Sequence, residues 1–146
     1  MGELLSIPEW LAVTLWVISA LSIAMLYGFW SIRRAHRRVE ASRPNPTKQQ
    51  FIAMMEEDCS PEVSDFLWEK AVFYVEPRLT PHPDDDLILD LKIDEDDIAM
   101  DWPRDWAEQR GFHESNFPNW PNDWPGTIRN YGRWLDMSPT EPSPRT

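Results

Sequence analysis

The stretch WLAVTLWVISALSIAMLYGFW, residues 10–30, constrains everything after it, because its 21 residues contain no charge, no proline and one glycine. As a helix rising about 1.5 Å per residue it would span roughly 31 Å, close to the ~30 Å hydrocarbon core of a bilayer. A lone segment placed in lipid must satisfy its own backbone hydrogen bonds, and only a helix does so. Residues 10–32 are therefore expected to form a single transmembrane helix, preceded by a short external N-terminus, residues 1–9. A cleaved secretory signal would show a basic start, a shorter apolar run and a small-residue cleavage site. Here MGELLSIPE carries no Lys or Arg and no convincing A-x-A site follows, so the segment reads as a retained anchor.

The flank SIRRAHRR sets the direction. Arg33, Arg34, Arg37 and Arg38 crowd one side of the span and none lies on the other. The positive-inside rule then expects the N-terminus outside and the rest of the chain in the cytoplasm, which for a bacterial cell means the inner membrane. Each arginine near an anionic leaflet contributes about 1 kcal/mol, so membrane lipid is an expected partner of this collar. Trp10 and Trp30 sit near the two ends of the span, where amphipathic rings favour the interface. Ala20, Ala24 and Gly28 recur every four residues, a small-residue stripe suited to transmembrane self-association or docking on a partner helix. Alanine and glycine are also common in such helices for no special reason.

Residues 33–46 read as a basic collar and a proline-containing linker, since Pro44 and Pro46 disfavour helix at the residues before them. The remainder is strongly acidic. Residues 51–146 carry 22 Asp/Glu against eight Lys/Arg, a net of −14, whereas residues 1–50 are at +3. A body of this charge repels nucleic acid and anionic headgroups, and its natural partner is a basic protein surface.

Residues 47–138 are expected to form one small acidic helical domain in the cytoplasm, followed by a disordered tail, residues 139–146. Thr47 and Gln50 make a capping box for a short helix carrying Phe51, Ile52, Met54 and Met55. Ser60-Pro61 opens a second helix over residues 61–75, in which Val63, Phe66, Leu67, Ala71 and Tyr74 recur at spacings of three and four. The run 77–86 reads as a loop, and its aspartates Asp84–Asp86 as a solvated surface. Leu87, Leu89, Leu91 and Ile93 alternate, which fits a strand or an extended loop pinned by leucines. Asp94 then caps an acidic helix start, Ile98, Trp102 and Trp106 share a face, and Gly111 stops the helix. Pro103 inside this pattern implies a kink or two short helices. The NWP and DWP units place Trp120 and Trp124 either over the core or on an exposed contact surface. TIRNYGRWLDM reads as a final helix or strand.

Chemistry is hard to find. An EF-hand starting at Asp94 fails at Ile98 and Ala99, where an oxygen ligand and glycine are needed. His36, His82 and His113 lack ligand spacing, the single Cys59 has no base near it, and no nucleophile elbow or phosphate loop occurs. No catalytic residue, metal or cofactor is expected, and the chain reads as a non-enzyme.

From Leu79 to Phe112 a loop, the motif LILDLKIDEDD and an amphipathic helix resemble the acyl carrier fold. The stretch is similar above all to a family of small bacterial acyl-carrier-like proteins of unknown function. The resemblance covers roughly residues 60–120 and rests on Asp90, Leu91, Ile93, Asp94, Asp96 and Asp97. It implies a mostly α, carrier-like domain with residues 61–75 as its first helix. A carrier has a serine after the aspartate that opens the second helix, to hold phosphopantetheine. This chain has Glu95 there, and a carboxylate cannot accept that arm.

The sequence thus points to a mostly α, single-pass membrane protein whose cytoplasmic domain is a non-catalytic interaction module. Asp94, Glu95, Asp96, Asp97 and Asp101 are the expected contacts for a basic partner. The alternatives are an immunity or antitoxin-like protein at the inner membrane, and a divergent acyl or group carrier with another attachment residue.

Overall fold

A computed structural model describes residues 8–139, so the residues 1–7 of the expected external segment and 140–146 of the expected tail lie outside it. The described chain is mostly helical, with one long apolar N-terminal helix and no strand among the described residues. It divides into two compact units, Met1–Arg34 and Ala35–Thr146.

The first unit is the apolar part of α1 (Glu9–Ser42). Its 18-residue apolar window has a mean hydropathy of 1.9 and none of it is buried. Trp10, Trp16, Leu21, Leu26 and Phe29 are all more than half exposed. Two hydroxyls in this stretch turn inward on the helix itself. Thr14 Oγ1 donates to the Trp10 carbonyl at 2.7 Å and Ser22 Oγ to the Ile18 carbonyl at 2.8 Å. Such back-bonding satisfies these two hydroxyls within the helix. A Cβ added at Gly28 would meet nothing within 4 Å, so the small-residue stripe of Ala20, Ala24 and Gly28 has no neighbour within this unit.

The second unit begins inside the expected linker. Residues 35–42 remain helical and bury Ala35, His36 and Val39 in the acidic domain, with His36 Nε2 at 3.0 Å from the Leu91 carbonyl. The linker reading is corrected to this extent: helix persists to Ser42 and stops just ahead of Pro44, as the proline's steric demand on its predecessor requires. The collar splits by face, because Arg37 and Arg38 stay exposed while His36 and Val39 turn in.

The core is built by α2 (Lys48–Met55), α3 (Pro61–Val75), α4 (Trp102–Arg110) and α5 (Ile128–Asp136). The Thr47–Gln50 capping box closes as its sequence demands, with Gln50 N–H donating to Thr47 Oγ1 and Thr47 N–H to Gln50 Oε1. Phe51, Met55, Leu67, Trp102, Ile128 and Leu135 are sealed from solvent. Gly132 lets α5 lie close to the α2–α3 pair, since a Cβ there would sit 2.7 Å from Met55 Cε and 3.0 Å from Cys59 Sγ.

Residues 86–93 form a tight turn rather than a strand. Asp86 Oδ1 accepts from the N–H groups of Ile88 and Leu89 at 3.0 and 2.7 Å, and Ile93 N–H returns to the Leu87 carbonyl at 3.0 Å. Leu87, Leu91 and Ile93 are buried and Leu89 is exposed. The alternation arises from a leucine-pinned turn, with a lone bridge between Asp86 and Thr127. Helix resumes at Glu95 after Asp94, whose carboxylate accepts from Asp96 N–H at 2.9 Å.

Around Pro103 two short helical elements meet, the second of the two expected arrangements. A π-turn over Asp97–Asp101 runs directly into α4. Proline lacks an N–H and its ring crowds the carbonyl four residues back, here Ala99. Widening the preceding turn to the i→i+5 pattern, with Trp102 N–H on the Asp97 carbonyl, accommodates both defects. Gly111, at φ 76°, ends α4 in the left-handed conformation that glycine adopts without strain. Trp120 lies half-buried against Tyr131 and Trp134, with ring centroids 6.0 and 5.9 Å away. Trp124 abuts Trp120 edge-on at 6.0 Å.

Candidate functional site

Helices α3 and α4 run antiparallel, pinned by Phe66 on Trp106 (centroids 5.1 Å apart), Lys70 on Asp105, and Tyr74 on Asp97. The outer surface between them is a groove made of two adjoining hollows of about 710 and 360 Å³, which share Glu69 and Lys70. Three carboxylates of α3 (Glu62, Asp65 and Glu69) line it from one side. Asp97, Asp101 and Asp105 line it from the other. Lys70 and Arg110 are the cations in its lining, and Lys48 reaches its edge, pairing with Asp65 at 2.7 Å and Glu69 at 2.6 Å. The two lining cations lie over the aromatic floor, Lys70 Nζ 5.5 Å from the Phe66 ring centre and the Arg110 guanidinium 4.6 Å from that of Trp106. Phe73 stands at one end, 81% exposed.

The five acidic residues expected to form one face do not share one. Asp97 and Asp101 enter the groove. Asp97 Oδ2 accepts from the Tyr74 hydroxyl at 2.5 Å, and Asp101 pairs with Arg104. Burial, reinforced by that hydrogen bond, raises the Tyr74 phenol to about 12. Asp94 serves the helix start, Asp96 is exposed beside it, and Glu95 lines a different cleft. In their place the structure adds Asp105 and the α3 row. The signal was in the sequence: residues 97, 101 and 105 are spaced by four, and 62, 65 and 69 by three and four, so each set falls on one helix face.

The other acidic run is a solvated surface only in part: Asp84 is exposed, but Asp85 is not. Asp85 is 3% exposed and grips Arg43 in a bidentate pair, Nε to Oδ1 at 2.7 Å and Nη2 to Oδ2 at 2.5 Å. It also accepts from His82 N–H at 2.9 Å. Asp84 receives Arg129 Nε at 2.8 Å, and Arg129 and Arg133 converge on the nearly buried Asp58. The Arg129 hydrogen bond holds the Asp84 carboxyl below its usual range. Burial, then the nearby Arg43 charge, lowers His82.

Cys59 is buried near Ser64, and burial pushes its thiol up to about 11, away from the thiolate form that reacts. Among the described residues no group of three His, Cys, Asp or Glu is placed to hold a metal ion. Trp10, Trp30, Arg33 and Arg34 lie on the exposed surface of the first unit, with Arg34 over the Trp30 ring at 5.2 Å. No protein-family model, curated protein or solved structure matches the chain.

Proposed function

We propose that this chain is a single-pass inner-membrane protein, N-terminus outside, whose cytoplasmic domain is a non-catalytic docking module for a basic protein segment. The membrane reading is supported by an apolar helix with no buried residue in its apolar window, in which the Thr14 and Ser22 hydroxyls bond back to their own helix. The direction is supported by the arginines at 33, 34, 37 and 38. The small-residue face of α1 is the surface on which two such helices would associate.

The observation that carries the docking function is the α3–α4 groove, where six carboxylates face three cations, Lys70 and Arg110 over its aromatic floor and Lys48 at its edge on Asp65 and Glu69. A partner's Lys or Arg side chains meet the same two attractions there, carboxylate on the rim and ring below. From Glu62 to Phe73 the groove extends about 16 Å at 1.5 Å per residue, enough for roughly three turns of an incoming helix.

The test uses the full chain in lipid nanodiscs and a helical Leu/Lys peptide about 14 residues long. Saturable binding that weakens several-fold in Asp97→Asn/Asp101→Asn and in Asp65→Asn/Glu69→Gln is expected. Equal binding of a Leu/Glu peptide, or full affinity in both double variants, would overturn the proposal.

A further inference from the structure

A second concavity lies elsewhere in the domain, where the 86–93 turn, the π-turn, the Trp120 loop and α5 converge. We propose that it binds a small organic cation, an amine or quaternary ammonium carried on an apolar body. The cleft holds about 430 Å³, within the range of small-molecule sites, which are characteristically apolar with few polar groups. Leu87, Ile98, Trp120, Tyr131 and Trp134 wall it, and Glu95 is the one charged residue in its lining.

The walls have no polar appetite left. Trp120 Nε1 donates to the Trp124 carbonyl at 3.3 Å, Trp134 Nε1 to the Pro118 carbonyl at 2.8 Å, and the Tyr131 hydroxyl to the Ile98 carbonyl at 2.6 Å. A ligand therefore meets aromatic rings and aliphatic side chains, not unpaired donors. An anion finds no counter-charge. A cation finds the Glu95 carboxylate, which enters no ion pair among the described residues, and electron-rich indole faces that attract positive charge. The net charge of −11 concentrates cations around the whole molecule. Four separate segments close on a space suited to a single compact ligand, unlike the open α3–α4 groove. The proposal uses none of the groove residues, so either can fail alone.

The test titrates phenethylammonium into the full chain in nanodiscs, reading indole N–H resonances by NMR and affinity by calorimetry. Phenylethanol and phenylpropionate serve as the neutral and anionic counterparts. Saturable binding of the cation is expected to shift the Trp120 and Trp134 signals. Glu95 is exposed, so Glu95→Gln should fold normally while weakening binding about ten-fold, the size of one charge-assisted contact. Asp101→Asn, which alters net charge equally but lies in the groove, should leave affinity unchanged. Phenylethanol binding as tightly as the cation, an unaffected Glu95→Gln, or equal losses in both variants would overturn it.

Discussion

Two acidic clusters in this domain look alike on the page and behave differently. Asp84 and Asp85, with the distant Asp58, are held by Arg43, Arg129 and Arg133. Asp97, Asp101 and Asp105 face an open groove and meet a tyrosine, a neighbouring arginine and one lysine. In a chain with 25 acidic and 14 basic residues, cations are scarce. Where arginines reach a buried carboxylate, the pair becomes architecture. In the groove the pairs are solvated, Asp101 with Arg104 and Asp105 with Lys70, and the carboxylates stay open to solvent.

The sharpest way to break this contrast is Asp85→Ala. Removing one member of a buried, bidentate pair strands the other charge, at a cost of about 3–5 kcal/mol. Urea unfolding of the domain should show a loss of that size, and a loss below 1 kcal/mol would make Asp85 an ordinary surface residue. Asp58→Ala should cost less, about 2 kcal/mol, because its carboxylate is nearly buried but its two arginines are partly solvated.

The two clusters should also fail at opposite ends of the pH scale. His82 and Asp84 have folded values below their unfolded ones, so the stability they contribute is present above about 6.5 and 3.9 respectively. It disappears as the pH falls through each folded value. Tyr74 is raised, so its contribution is complete below about 10 and is lost as the pH climbs towards 12. Melting temperature against pH should therefore show an acid limb reduced by His82→Gln and an alkaline limb reduced, not abolished, by Tyr74→Phe, since Tyr131 is raised too. The smallest expected effect is on the groove itself. Asp101→Asn should move stability by no more than about 0.5 kcal/mol while weakening a basic peptide, and a stability loss like that of Asp85→Ala would erase the distinction.

Local chemistry was legible in the sequence to the residue. The Thr47–Gln50 box, the Pro61–Val75 helix, the Asp94 cap and the Gly111 stop all depend on side chains within a few positions of the backbone they serve. What the sequence hid was long-range pairing. Arg43 and Asp85 are 42 positions apart, and Arg133 and Asp58 75, so no spacing rule could have told the buried aspartates from the exposed ones. The same blindness left the 87–93 run open between a strand and a leucine-pinned loop, of which the structure has the second, because Leu87, Leu91 and Ile93 are buried by elements that a local pattern does not contain. The candidate site was half legible. Its acidic character showed, but its membership did not, since the α3 row matters only once α4 lies beside it.

The widened turn at Asp97–Asp101 has a consequence for the direction in which charges point. An α-helix rotates about 100° per residue, so one extra residue in a turn offsets the phase of everything before it by that amount relative to α4. Deleting Ala99 would restore the ordinary count and swing residues 95–98 by roughly a quarter of a circle. Asp97 would leave Tyr74, and Glu95 would leave the cleft beside Trp120. A single main-chain irregularity, placed there to make room for a proline ring, thus acts as the dial that assigns one carboxylate to the groove and its near neighbour to the opposite hollow.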